Sequence, residues 1–339
     1  MKRKLLTLIL ALVLPFSVFA GCKDKETTYT MYVPDGAPLL AVANIVHSGA
    51  ELGSGKVSGT IVTGAQIGPA LIAKTPDIAL APINVCAQAY NNTDGEYVLC
   101  GVAVWGLNFI VSKDEGKTSL SDFVGETIYA FQEAGTPGLT LKALIGTYGL
   151  EINVLAENGA PVADKINILF LPQPADVRTA LTAGYNGVEA DKIRHGLLSE
   201  PLVTAMQSIA KSTVDTQKLW QDKSGGSYPQ VGLVIKKSII EKDKEGVDKF
   251  VDYVLSQSQY LRENPAEIAT LAKVTLESDG LPAVGVCESF ISSDRGKAAF
   301  DFGKIESSKS AVEAYIAKLV EMEPKVVGGK APDSGFYLG

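Results

Sequence analysis

The sequence predicts an α/β protein of two lobes, closed by a helical C-terminal portion. Three observations carry this. Between Tyr29 and Ile235, apolar segments of strand length alternate with helix-like segments, the pattern of parallel sheets covered by helices on both faces. About 310 residues follow the N-terminal leader and tether, enough for two domains of ordinary size. From Lys242 onwards the strand-like runs stop and amphipathic helical segments take over. With 46% hydrophobic residues, the chain has ample material for both cores.

Tyr29 to Val33 reads as the first strand and Pro38 to Val46 as an apolar helix. A strand over Val57 to Thr63 precedes a helix near Ile67 to Ala73, and a buried strand over Asp77 to Ala81 precedes a helix over Ile83 to Tyr90. Val98 to Val111 is a long apolar run with Trp105-Gly106 in its middle. A second series follows: strand Glu126 to Phe131 with helix Pro137 to Tyr148, strand Ile166 to Leu171 with helix Ala175 to Ala183, and strand Ile193 to Leu198 with helix Pro201 to Ile209. Gln230 to Ile235 is one more apolar strand. Val247 to Leu261, Pro265 to Leu276 and Ser310 to Met322 are amphipathic helices, and Gly328 to Pro332 is a turn-rich end. Two segments read as crossings between lobes. One is Trp105 to Asn108, where a strand runs through Gly106 without a turn cluster; the other is Tyr228 to Gly232, after the loop Lys223 to Ser227.

The N-terminus has its own logic. Met1-Lys2-Arg3-Lys4 is a basic start, and Leu5 to Ala20 is an apolar run of 16 residues. That is short of the ~20 residues a membrane-spanning helix needs. Ala20-Gly21 supplies the small residues of a cleavage site, so residues 1–21 read as a secretory signal peptide. Phe19-Ala20-Gly21-Cys22 resembles the bacterial lipoprotein box, with Phe19 in place of the usual Leu. The resemblance implies that Cys22 is acylated and becomes the new N-terminus, held at the outer face of the cell membrane. Residues 22–29 then form a polar tether. Removing residues 1–21 takes Lys2, Arg3 and Lys4 from the 31 basic residues and none from the 38 acidic ones, leaving a net charge of −10. Nucleic-acid phosphates require a basic face, so that partner is excluded.

Cys86, Cys100 and Cys287 remain, an odd number without CxxC or Cys/His metal spacing. They read as buried core thiols; a Cys86–Cys100 disulfide stays open. His47 and His195 are the only histidines and read as ordinary surface or core residues. The sequence contains no nucleophile elbow, HExxH or EF-hand loop. Gly53-Ser54-Gly55-Lys56 lacks the P-loop's first Gly and its Ser/Thr, and reads as a surface turn. No catalytic residue, cofactor or metal is expected.

What the chain does have is corners where a strand turns into a helix. Pro34-Asp35-Gly36-Ala37-Pro38 follows the first strand, and Ala134-Gly135-Thr136-Pro137-Gly138 follows a strand of the second series. Pro38 and Pro137 suit first helical positions, and Thr136 suits an N-cap. Such corners present free N–H groups beyond the carboxyl ends of strands, where open α/β sheets bind ligands.

Six segments stand in order: Val33 to Pro38, Pro76-Asp77-Ile78-Ala79-Leu80-Ala81-Pro82, Trp105-Gly106, Gly135-Thr136-Pro137, Ser199-Glu200-Pro201 and Gly328-Gly329-Lys330. With the lipoprotein start, this order resembles the ABC-importer solute-binding proteins for thiamine-precursor pyrimidines, sulfonates, nitrate and taurine. The resemblance covers residues 30 to 337 or so. It implies a type II periplasmic-binding-protein fold, two α/β lobes joined by two crossovers with ligand between them. Lobe 1 would hold residues 30–106 and 233–339, and lobe 2 residues 107–232. It implies an extracytoplasmic lipoprotein that delivers a small molecule to an ABC permease and its ATPase, and no enzyme activity. A sensory lipoprotein without a permease and an extracytoplasmic enzyme on the same fold are the alternatives. The Cys-rich signature and reactive histidine of the superfamily's yeast pyrimidine-synthesis enzymes are not visible.

The residues also bear on the ligand. No Arg lies in these corners, which weighs against a strongly charged oxyanion. Trp105 and Tyr228 flank the crossings and offer ring faces. Asn84, Asn108, Gln132 and Gln173 offer donors and acceptors. A planar heterocycle such as a thiamine-precursor pyrimidine is preferred, with sulfonate or nitrate as the alternative. The expected contacts are Asp35, Gly36, Ala37 and Pro38 at the first corner, and Gly135, Thr136, Pro137, Gly138 and Thr140 at the second. Asn84, Trp105, Asn108, Gln132, Glu200 and Tyr228 complete the set.

Overall fold

The structure, a computed structural model, describes residues 27–157, 159–278 and 288–339. The leader, Cys22 and Cys287 lie outside the described residues. Among the described residues no helix is long and apolar enough to cross a membrane.

Among the described residues, thirteen strands form two sheets. In chain order they are β1 Thr28–Pro34, β2 Ala50–Leu52, β3 Gly55–Val62, β4 Ile78–Pro82, β5 Tyr97–Trp105, β6 Asn108–Ser112, β7 Thr127–Phe131, β8 Ile152–Val154, β9 Ile166–Leu171, β10 His195–Ser199, β11 Ser212–Asp215, β12 Pro229–Lys236 and β13 Gly303–Lys304. One sheet runs β13-β5-β12-β4-β1-β3-β2 and the other β11-β6-β10-β7-β9-β8. In the first, β1 lies parallel between β3 and β4. In the second, β7 lies parallel between β9 and β10. At the centre of each sheet the burial is that of strands covered on both faces: Ile78 to Ala81 and Ile128 to Phe131 are buried without a break. The carboxyl ends of the parallel strands therefore fix where each sheet's corners lie.

The apolar run Val98 to Val111 is two strands in different sheets. β5 ends at Trp105, and the chain enters the second sheet at Asn108. Gly106 makes the passage possible, because a Cβ there would lie 2.3 Å from Tyr228 Cζ. The chain returns between β11 and β12, through the helix Thr216–Ser224. The turn Gly53-Ser54 joins β2 to β3 as a hairpin, with Leu52 paired to Gly55.

Several elements differ from the sequence reading. The helix expected over Pro38 to Val46 is two short helices, Ala37–Ala41 and Ala43–Ser48, broken at Val42. The helix expected over Pro201 to Ile209 shrinks to Leu202–Ala205. Strands do not stop at Lys242, since Gly303–Lys304 adds an edge to β5. The short edge strands β2, β8 and β11 and the helix Thr216–Ser224 lack the long apolar runs on which the reading relied. Cys86 and Cys100 are both buried free thiols, so no disulfide joins them.

Candidate ligand cleft

The two sheets present their parallel-strand corners to each other. On the first sheet, Asp35 follows β1, Thr63-Gly64 follows β3 and Asn84 follows β4. On the second, Gln132 to Thr136 follows β7 and Glu200 follows β10. The corners meet at Asn84, which is buried. Thr136 donates its hydroxyl to Asn84 Oδ1 at 3.1 Å, and Asn84 Nδ2 donates to Ala134 O at 3.3 Å. Gln132 reaches across as well, since a Cβ on Gly64 would lie 3.5 Å from its Nε2.

Local backbone geometry explains the corners. Gly36 is the N-cap residue of the first helix, at φ +83° in the left-handed region that glycine tolerates. That helix is only five residues long, so it offers little dipole. It begins at Ala37, one residue before the position expected for Pro38. At the second corner Gly135, not Thr136, is the N-cap residue, and Thr136 and Pro137 are the first two helical positions. This shift releases the Thr136 hydroxyl from capping and turns it to Asn84. Gly138 is required for packing, because a Cβ there would fall 2.6 Å from Gln132 O. The corner after β3 escaped the sequence reading. Thr63 is the N-cap residue of the helix Gly64–Ile72, and its backbone N–H donates to Gln66 Oε1 at 2.8 Å. The T-x-x-Q spacing at Thr63 to Gln66 was the available signal.

The side nearest the crossings is packed shut. Tyr228 is wholly buried, its ring stacked on Tyr315 with centroids 6.1 Å apart and edge-on to Trp220 at 5.8 Å. Its hydroxyl meets Asn108 Nδ2 at 3.2 Å and Thr216 Oγ1 at 3.1 Å. Ser199 in turn donates to Asn108 Oδ1. Tyr315, on the C-terminal helix Ile305–Met322, bonds Thr140 Oγ1 at 2.9 Å across the lobes. Trp105 is half-buried, and its indole N–H donates to Asp301 O at 2.8 Å. Tyr228 and Trp105 thus have partners on the protein, and Asn108 and Thr140 are tied to this packed side.

Charges around the corners are mostly paired. Arg295 donates to Gly106 O at 3.1 Å and to Asp215 Oδ1 at 3.0 Å, with its Nε 2.7 Å from Asp215 Oδ2. Its guanidinium also lies over the Phe109 ring at 4.9 Å. Arg295 was missed because it is far from every corner in sequence. Glu200 is buried and accepts from the backbone N–H of Thr204 at 3.0 Å and from its hydroxyl. Burial pushes the Glu200 carboxyl above its ordinary value, opposed by the Thr204 hydrogen bonds and the Arg295 charge. Burial also raises Asp35, opposed by its own backbone N–H.

Two concavities lie elsewhere. One of about 910 Å³ sits between the β2–β3 hairpin and the start of the helix Lys244–Glu263. Another of about 450 Å³ lies where β7 and β10 begin, beside His195 and Tyr185.

No protein-family profile matches the chain, and no curated protein sequence matches it either. Solved structures do. A protein described as an ABC transporter from Parabacteroides distasonis superposes with a TM-score of 0.71 at 21% identity, covering 93% of this chain and 99% of that one. The periplasmic aliphatic sulphonate binding protein of Escherichia coli gives 0.53 at 14% identity, with 76% and 81% covered. The alkanesulfonate-binding protein of Xanthomonas axonopodis pv. citri, solved with MOPS, gives 0.53 at 14% identity, with 91% and 96% covered. The fold is the type II periplasmic-binding-protein fold.

Proposed function

We propose that this chain is the extracytoplasmic solute-binding component of an ABC importer, not an enzyme. It takes a small organic molecule between its lobes and delivers it to a permease and its ATPase. The observation that supports this best is the opposition of strand-end corners, joined at Asn84 and Thr136. Two crossings connect the lobes, so the lobe built on the first sheet, which holds all of β12 from Pro229, closes against the lobe built on the second sheet as a rigid body. The acylated Cys22 tethers the protein to the outer face of the cell membrane. The ligand is a planar heterocycle such as a thiamine-precursor pyrimidine, held at Asp35 to Pro38, Asn84, Gln132 and Gly135 to Gly138.

A sulfonate is the second reading, favoured by the sulfonate-binding descriptions of two structural neighbours. The helix starts at Gly64 and Thr136 supply N–H groups to an anion. Native mass spectrometry of protein purified without denaturation tests the function. A one-to-one non-covalent adduct is expected, and turnover of that compound by the protein would contradict the reading. Metabolic acyl labelling tests the anchor: Cys22→Ala should lose the label, and a retained label rules the anchor out.

A further inference from the structure

The space between the corners is unevenly charged. β1 lies between β3 and β4. The corners after β3 and β4 both meet the corner after β7, through Gly64 beside Gln132 and through Asn84 on Thr136. Asp35 follows β1, between these two contacts, its backbone N–H donating to Val62 O at 3.1 Å. A Cβ on the adjoining Gly36 would meet nothing within 4 Å. The central corner therefore borders open space where its neighbours touch the opposite lobe.

Other charged groups near the corners have partners. Arg295 is committed to Asp215, and Lys142 lies 3.6 Å from Glu133 and 3.5 Å from Glu323. Glu200 is committed to Thr204. Among the described residues, no other side chain donates to the Asp35 carboxylate. Asp35 is exposed, yet the surrounding protein desolvates it enough to raise its pKa, as expected for a group facing a cleft. Lobe closure removes more water from such a carboxylate, and an unpaired desolvated charge is costly. A ligand donor that pairs with it removes that cost; an anion in the same place adds repulsion.

We propose that Asp35 is the ligand-selecting carboxylate of the cleft, and that the solute presents it with a protonated amine, an amidinium or the donor edge of an amino-heterocycle. This rests on the solute-binding reading above. The test compares the full-length wild type with Asp35→Asn, both purified without denaturation and shown to be folded by melting curves. Retained compounds are identified by mass spectrometry, and melting is repeated with benzamidine and with benzenesulfonate, one ring carrying opposite charges. The expected compound bears a basic or donor nitrogen, and its occupancy falls at least about tenfold in Asp35→Asn. Benzamidine should raise the wild-type melting temperature more than benzenesulfonate does. A retained compound whose only charge is negative, equal occupancy in folded Asp35→Asn, or stabilisation by benzenesulfonate alone overturns the proposal and leaves the solute-binding reading intact. Retention of nothing, with no shift from either probe, overturns both.

Discussion

The two ends of the interlobe contact are built differently. At the crossings, aromatic rings fill the space and the polar groups named there have partners: Tyr228 with Asn108 and Thr216, Tyr315 with Thr140, Arg295 with Asp215. At the strand corners the contact is thinner, resting on Asn84 with Thr136 and Ala134, on the approach of Gln132 to Gly64 and on the ion pair of Lys142 with the half-exposed Glu323. Asp35 sits there without a side-chain partner among the described residues. A rigid end and an open end are what a hinged clamp needs. In the proposed solute-binding role, the packed end keeps the lobes joined and the thin end has little free energy of its own to oppose opening.

The largest way to break this contrast is at the packed end. Tyr228→Ala deletes a fully buried ring from an aromatic cluster and should cost about 3–5 kcal/mol in urea denaturation. A loss below ~1 kcal/mol would show that the cluster does not hold the lobes together. Next comes Arg295→Met. The Arg295 and Asp215 side chains are 30% and 22% exposed, so the pair is only partly buried. Loss of roughly 1–2 kcal/mol is expected, between the surface and buried limits. Asp215 also caps the helix Thr216–Ser224 through Gln217 and Lys218 N–H, so Asp215→Ala should cost more than Arg295→Met. Equal costs would remove the capping role.

At the thin end, Thr136→Val removes one interlobe hydrogen bond, typically worth about 0.5–1.5 kcal/mol. Because that bond forms only between lobes, the change should appear mainly as faster ligand dissociation, with the melting temperature of the empty protein nearly unchanged. A drop in stability with unaltered dissociation would place Thr136 in the core instead.

The smallest expected effect is a control away from both ends. His195 is buried at the start of β10 in the second sheet, its Nδ1 3.0 Å from Ser112 Oγ and its Nε2 3.7 Å from Glu126 Oε2. Burial lowers its pKa, opposed by the charges of Glu126 and Asp114, while Lys117 adds to the lowering. The unfolded chain therefore takes up this proton first. Stability contributed by neutral His195 is intact above about pH 6.5 and declines as pH falls below it. Urea melts at a series of pH values should show this decline in the wild type and less of it in His195→Gln. The same slope in both would clear His195 of the effect.

The sequence was informative where one residue type answers one physical demand. Apolar runs located the buried strands β4, β7, β9 and β12, and Ile166 to Leu171 matches β9 to the residue, because strands covered on both faces tolerate little else. Gly36 and Gly138 marked corners whose backbone geometry or packing requires glycine. The run Val98 to Val111 hid the division between sheets, since buried strands of both sheets carry the same apolar residues. The cleft was less legible than the fold. Tyr315 and Arg295 act on it from more than 80 residues beyond the nearest corner, and no local pattern announces such contacts. Thr136 was read as an N-cap on its chemistry, but a one-residue shift gave that place to Gly135 and turned the hydroxyl to Asn84.

Closure of two lobes over a ligand is most directly tested by small-angle X-ray scattering of the purified full-length protein. Scattering would be recorded before removal of the retained compound by reversible denaturation, after removal, and again after adding the compound back. The expected result is a larger radius of gyration in the emptied protein, reversed on re-addition, with the shape of each lobe preserved. Identical scattering in all three states, with binding confirmed by calorimetry, would contradict hinged closure.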